Sequence, residues 1–139
     1  MTDAELVRKR LAFIETCLQD LRREARPDRL EGDIRERRFV EHTLQLSIQS
    51  ALDVASHVVS DERLGEPATL RHLFDLLAAG GWIAPASAPR LRAMAGFRNV
   101  LVHGYTEVDL ALVRDVLEHH LGDLEDFVRQ VRDRLGKLA

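Results

Sequence analysis

The chain has one cysteine, Cys17, four prolines and seven aromatic residues among 139 positions. A lone thiol forms no intrachain disulfide. Without a CxxC or CxxxC pair the chain also lacks the usual thiolate frame for zinc or an iron–sulfur cluster. No apolar run approaches the roughly 20 residues that a membrane helix needs. The stretch from Met1 to Arg10 is charged and carries no apolar signal segment. A cytoplasmic protein with no membrane contact is expected. Hydrophobic residues make up 45% and charged residues 31%, with eight glycines. That balance excludes a collagen-like repeat, a low-complexity tail and a disordered chain. The length suits a single domain over residues 1–139, large enough to bury a core without staples.

Acid is missing from one window. Between Leu76 and Thr106 there is no Asp or Glu, yet Arg90, Arg92 and Arg98 are there. The net charge of −3 argues against a general nucleic-acid binder, so any anion site must be local. Two readings stay open. The window holds an anion site, or an Ala-, Gly- and Pro-rich segment simply has few charges of either sign.

The hydrophobic pattern is helical almost throughout, and no period-2 run is bounded by turn dipeptides. Thr2-Asp3-Ala4-Glu5 fits a capping box, followed by Leu6, Phe13, Ile14, Cys17, Leu18 and Leu21 at helical spacing. Pro27 ends this helix. A second, longer helix is predicted over 34–60, burying Leu44, Ile48, Ala51, Leu52, Ala55, Val58 and Val59. Leu70, Leu73, Phe74 and Leu77 mark a short third helix stopped by Gly80-Gly81. A fourth is predicted over 90–102, with Pro89 in its first turn and Gly104 as a C-cap. A last helix opens after Thr106-Glu107-Val108-Asp109 and runs from Leu110 to Leu135. The expectation is an all-α bundle of about five helices.

Six histidines are scattered without an HExxH, and no phosphate-binding glycine loop or GxSxG elbow occurs. No metal and no cofactor are expected. One segment, Phe97-Arg98-Asn99-Val100-Leu101-Val102-His103-Gly104-Tyr105, collects an arginine, an amide, a histidine and the only tyrosine. A guanidinium fork suits a phosphate, and an imidazole suits proton transfer near neutral pH. Those groups are what metal-free RNA transesterification needs. Spacing alone is weak, because composition gives about one Arg-x4-His by chance and the chain has three. In Arg37/His42 and Arg114/His119 an offset of five on a long helix separates the side chains by about 140°. Arg98/His103 differs because it ends at a glycine, where His103 is expected to leave the helical register. Asn99, four residues before His103, is placed to orient the ring.

At these residues the chain resembles the HEPN superfamily, and most closely the HepT-like ribonuclease toxins with their R-x4-H-x-Y motif. Ala51-Leu52-Asp53-Val54-Ala55-Ser56-His57, Leu64-Gly65-Glu66-Pro67 and Phe74-Asp75-Leu76-Leu77 are similar to the family's second and third helices. The resemblance implies a four-helix core plus a short helix. It implies a metal-independent endoribonuclease with Arg98 and His103 catalytic and Asn99 in support. Tyr105 would be the side chain that a cognate MNT-type nucleotidyltransferase antitoxin AMPylates. The implied assembly is a homodimer acting on RNA and not on DNA, with its motifs meeting at the interface. A two-fold axis would supply the second imidazole that one protomer lacks. The alternative is a non-catalytic HEPN module that binds a nucleotide or a partner. A structural reading would instead pair Arg98 with Asp53 or Asp109, and Asp53 with His57 could form an intrahelical pair.

Overall fold

The computed structural model describes residues 2–103 and 108–138, and of residue 103 the backbone only. Every regular element among them is helical. In order these are α1 (Ala4–Glu24), a 3-10 turn (Pro27–Arg29), α2 (Ile34–Asp61), α3 (His72–Ala79), α4 (Ser87–His103), α5 (Leu110–His119) and α6 (Leu121–Leu138). The all-α expectation holds, and no described helix is long and apolar enough to cross a membrane.

Local chemistry sets the helix ends. Asp33 accepts from the N–H groups of Arg35 and Glu36 to open α2, and Asp109 does the same for Ala111 and Leu112 at α5. A carboxylate there satisfies orphan donors and faces the positive end of the helix dipole. The cap of α1 is Asp3, which accepts from the Leu6 N–H at 3.1 Å. Thr2, the cap expected from the box spacing, sends its backbone N–H to Glu62 at the far end of α2. Gly80 closes α3 as expected.

The expected last helix is two. His120 breaks it with φ −123° and ψ 1°. Its ring lies between Asp115 (Nε2, 3.1 Å) and Asp123 (Nδ1, 3.2 Å), one carboxylate on each side of the bend. That bridge settles a break that no proline announces.

Helix α2, with 28 residues about 42 Å long, is the central strut and touches α1, α3, α4 and α6. Its predicted stripe from Leu44 to Val59 is buried. On α1, Val7 and Leu11 join Ile14, Cys17, Leu18 and Leu21 inside, while Phe13, expected there, is 43% exposed. Burial pushes the Cys17 thiol up from its ordinary pKa, which leaves it protonated packing. Phe74 of α3 meets Phe127 of α6 edge to face, with centroids 5.9 Å apart. Arg132 of α6 grips Glu15 of α1 through both oxygens at 2.6 and 3.1 Å. Arg92 of α4 pairs with Asp75 of α3. That last pair ties α3 to α4, whose C-terminal half carries the motif and which also packs against α2 and α6.

Candidate active site

Helix α4 buries Ala88, Leu91, Met94 and Ala95, and Leu101 packs partly against the same core. The 3.6-residue period puts Arg98 in the middle of that apolar stripe. A guanidinium is the wrong residue for packing at such a position. Its Nε is enclosed with no hydrogen-bond partner in the protein. Nη1 donates to Asn99 Oδ1 at 3.3 Å. The stem therefore lies along the core side and the head turns round the helix toward Asn99.

Asn99 is exposed, and it shares the outer face of α4 with Gly96, Val100 and position 103. The backbone keeps residue 103 as the last residue of α4. The expectation that His103 leaves the helical register is therefore corrected. Positions 98 and 103 stand about 140° apart round the axis, and the turn of the Arg98 head to Asn99 is what closes part of that angle. The His103 side chain, Gly104, Tyr105 and the Thr106-Glu107 half of the expected capping box lie outside the described residues.

The acid-free window is less positive in space than in sequence. Arg92 is spent on Asp75. Arg90 and Arg98 have no carboxylate partner among the described residues. The ion pairs proposed for a structural Arg98 are not made. Asp53 accepts from Gln49 at 2.9 Å and lies 3.7 Å from Arg10, and Asp109 caps α5. Nor does Asp53 pair with His57. Nε2 of that ring lies 3.0 Å from Asp61 Oδ2, without the alignment of a hydrogen bond.

The two other Arg-x4-His pairs come apart. Arg37 donates to the carbonyls of Leu30 and Glu31, each at 3.2 Å. His42 instead lines a groove of about 490 Å³ with Arg38, Glu41 and Leu101. Arg114 binds the Pro27 carbonyl at 3.1 Å and the Glu31 carboxylate. That hydrogen bond holds the Glu31 carboxyl below its ordinary range and raises the guanidinium's own pKa. His119 sits exposed beside Glu118. Among the described residues no three His, Cys, Asp or Glu side chains converge on a possible metal position.

What α4 offers, then, is a guanidinium head and an amide side by side on its outer face, one turn before position 103. Those are donors for an anionic oxygen. The family model described as Ribonuclease HepT-like matches residues 14–131, a span that contains the whole Arg98–Tyr105 motif. The chain belongs to this HepT-like family. It is similar to an mRNA nuclease HepT of Shewanella oneidensis, 36% identical over 89 residues that cover 64% of this chain and 67% of that protein. It is also similar to a tRNA nuclease HepT of Aphanizomenon flos-aquae, 30% identical over 97 residues, 70% of this chain and 66% of that one. The solved tri-AMPylated HEPN toxin of Shewanella oneidensis, in complex with an MNT antitoxin, superposes with a TM-score of 0.84 at 29% identity. That match covers 96% of the HepT-like chain and 99% of the toxin.

Sequence spacing gave no reason to single out one further residue on this HepT-like surface. The guanidinium of Arg71 lies against Gly96, its Cζ 3.4 Å from where a Cβ would stand.

Proposed function

We propose that this HepT-like protein is an endoribonuclease toxin that cuts RNA by attack of a ribose 2′-OH on the neighbouring phosphodiester, without a metal ion. The observation that carries the reading is Arg98. It is a guanidinium set in an apolar stripe, with an enclosed and unpartnered Nε, no carboxylate partner among the described residues, and a head turned to the exposed amide of Asn99. A buried unmet donor costs about 1–3 kcal/mol. Departures of this kind from local packing rules are expected at functional sites.

In this mechanism one His103 imidazole takes the proton from the 2′-OH. The O2′–P bond forms, and charge gathers on the non-bridging oxygens. Arg98 holds that charge through its fork, and Asn99 orients the imidazole four residues on. The P–O5′ bond then breaks, with the leaving oxygen taking a proton from a second imidazole. The products are a 2′,3′-cyclic phosphate and a 5′-hydroxyl. Each chain has one motif histidine, so the second comes from the other protomer of a homodimer with the two motifs facing. DNA has no 2′-OH and is not a substrate.

The AMPylation of the Shewanella toxin and its MNT antitoxin partner support a matching control here. A cognate nucleotidyltransferase would attach AMP to Tyr105. That would set a phosphate charge and bulk beside the pocket where the phosphodiester must lie.

The test is incubation of the purified protein with RNA and with DNA of the same sequence, with and without EDTA. RNA fragments ending in cyclic phosphate, uncut DNA and no effect of EDTA are expected. RNA left intact at stoichiometric protein, with nucleotide bound, would replace this reading with the non-catalytic binding module.

A further inference from the structure

The outer face of α4 receives a cation from another element. Arg71 stands at the entry to α3, fully outside the core, in a segment fixed by two local hydrogen bonds. The Thr69 hydroxyl accepts from the His72 N–H at 3.2 Å, and His72 Nδ1 accepts from the Ala68 N–H at 3.0 Å. Leu73 and Phe74 anchor the same turn in the core. From there the Arg71 guanidinium reaches across to α4. Its Cζ lies 3.4 Å, and Nη1 and Nη2 each 3.6 Å, from the point where a Cβ of residue 96 would stand. The fork lies against the helix at ordinary contact distance for a residue 96 side chain.

Among the described residues no carboxylate pairs with this cation. The acid one turn along α3, Asp75, is taken by Arg92. Arg71 makes no ion pair or hydrogen bond through its side chain among the described residues. It therefore differs from Arg92 and Arg114, whose forks are closed on carboxylates. Gly96, Asn99, Val100 and position 103 fall on one helical stripe, so the Arg71 fork stands about 10 Å up the axis from position 103. The Arg98 head lies between them, beside Asn99.

We infer that Arg71 is an RNA-binding residue of this site, gripping a backbone phosphate of the strand away from the scissile link that Arg98 holds. The inference rests on the ribonuclease reading. Two forks spaced along one face would hold a flexible strand in line, which is positioning that one fork alone does not give. An interaction of this kind carries no base information. It is worth the same on any sequence and weakens with salt.

The test is fluorescence polarisation with a labelled, mixed-sequence 2′-O-methyl oligonucleotide, which presents RNA phosphates and cannot be cut by the proposed route. Arg71→Ala is expected to weaken binding roughly tenfold and to lower the slope of log K against log salt by about 0.7. Arg71→Lys keeps the charge without the fork and should recover part of the affinity at low salt. Gly96→Ala should bind as wild type, because its methyl meets the guanidinium at ordinary contact distance. Unchanged affinity and slope in Arg71→Ala would overturn the inference. So would a variant whose mass by light scattering falls while its affinity for the oligonucleotide holds, since Arg71 would then serve a contact between copies. A wild type that binds the oligonucleotide with this Arg71 dependence but leaves unmodified RNA intact would sink the ribonuclease reading alone. A wild type that does not bind it would sink both.

Discussion

Two corners of this molecule use the same residue type in opposite ways. At the turn between α1 and α2, Arg37 and Arg114 converge on residues 27–31 and are consumed there by the carbonyls of Pro27, Leu30 and Glu31 and the Glu31 carboxylate. At the end of α4, Arg98 finds one neighbouring amide oxygen at 3.3 Å and leaves its Nε unmet. All three begin an Arg-x4-His spacing. The difference lies in what the fold offers each guanidinium. Where the chain supplies acceptors, arginine is a strap. Where the described residues supply almost none, at a position that packing would give to leucine, the guanidinium keeps an unmet donor.

The largest expected effect comes from His103, five residues after the idle arginine in sequence. His103→Ala should lower RNA cleavage by about 10²- to 10⁴-fold while far-UV circular dichroism stays near wild type. A variant that cuts at the wild-type rate would take His103 out of the mechanism. Next is the fork itself. Arg98→Lys keeps a charge but loses the bidentate geometry, and cleavage should fall roughly 10- to 100-fold. At the other corner Arg114→Ala should do the reverse, with cleavage per folded molecule unchanged and a lower urea midpoint. If cleavage fell with Arg114 the contrast between the corners would be lost.

The smallest effect concerns pH. Arg132 holds the Glu15 carboxyl below its ordinary pKa through their hydrogen bonds. A group depressed on folding adds stability above its unfolded pKa and loses it as pH falls through the folded value. Glu15→Gln should therefore be less stable than wild type at neutral pH, by about 0.5 kcal/mol for so exposed a pair. The gap should narrow as the pH falls below about 4.5. Thermal melts at several pH values read this, and a gap that persists in acid would point to packing rather than charge.

Much of this was legible in the residues. The buried stripe of α2 follows from period alone, and the ends of α1 and α3 follow from Pro27 and Gly80. The motif was visible because a lone tyrosine and an amide stood beside one of three like-spaced pairs. What escaped reading was settled by side-chain contacts that no spacing announces. The break at His120 depends on Asp115 and Asp123 closing on one ring. The loss of positive charge at Arg92 depends on Asp75, 17 residues earlier. Phe13 fits an apolar spacing on α1 yet lies off the stripe of Val7, Leu11, Ile14, Leu18 and Leu21 that is buried. Arg71 had no spacing to betray it. It reaches Gly96 only once α3 is laid against α4.

On the ribonuclease reading, Arg98 is retained against the interest of the fold because RNA needs it. Arg98→Leu tests this most directly, with melting temperature and RNA cleavage measured on the same preparation. Leucine should complete the apolar stripe, remove the unmet Nε and raise the melting temperature by about 2–6 °C, while cleavage falls at least 100-fold. A variant that melts lower than wild type, or still cuts RNA at the wild-type rate, would contradict it.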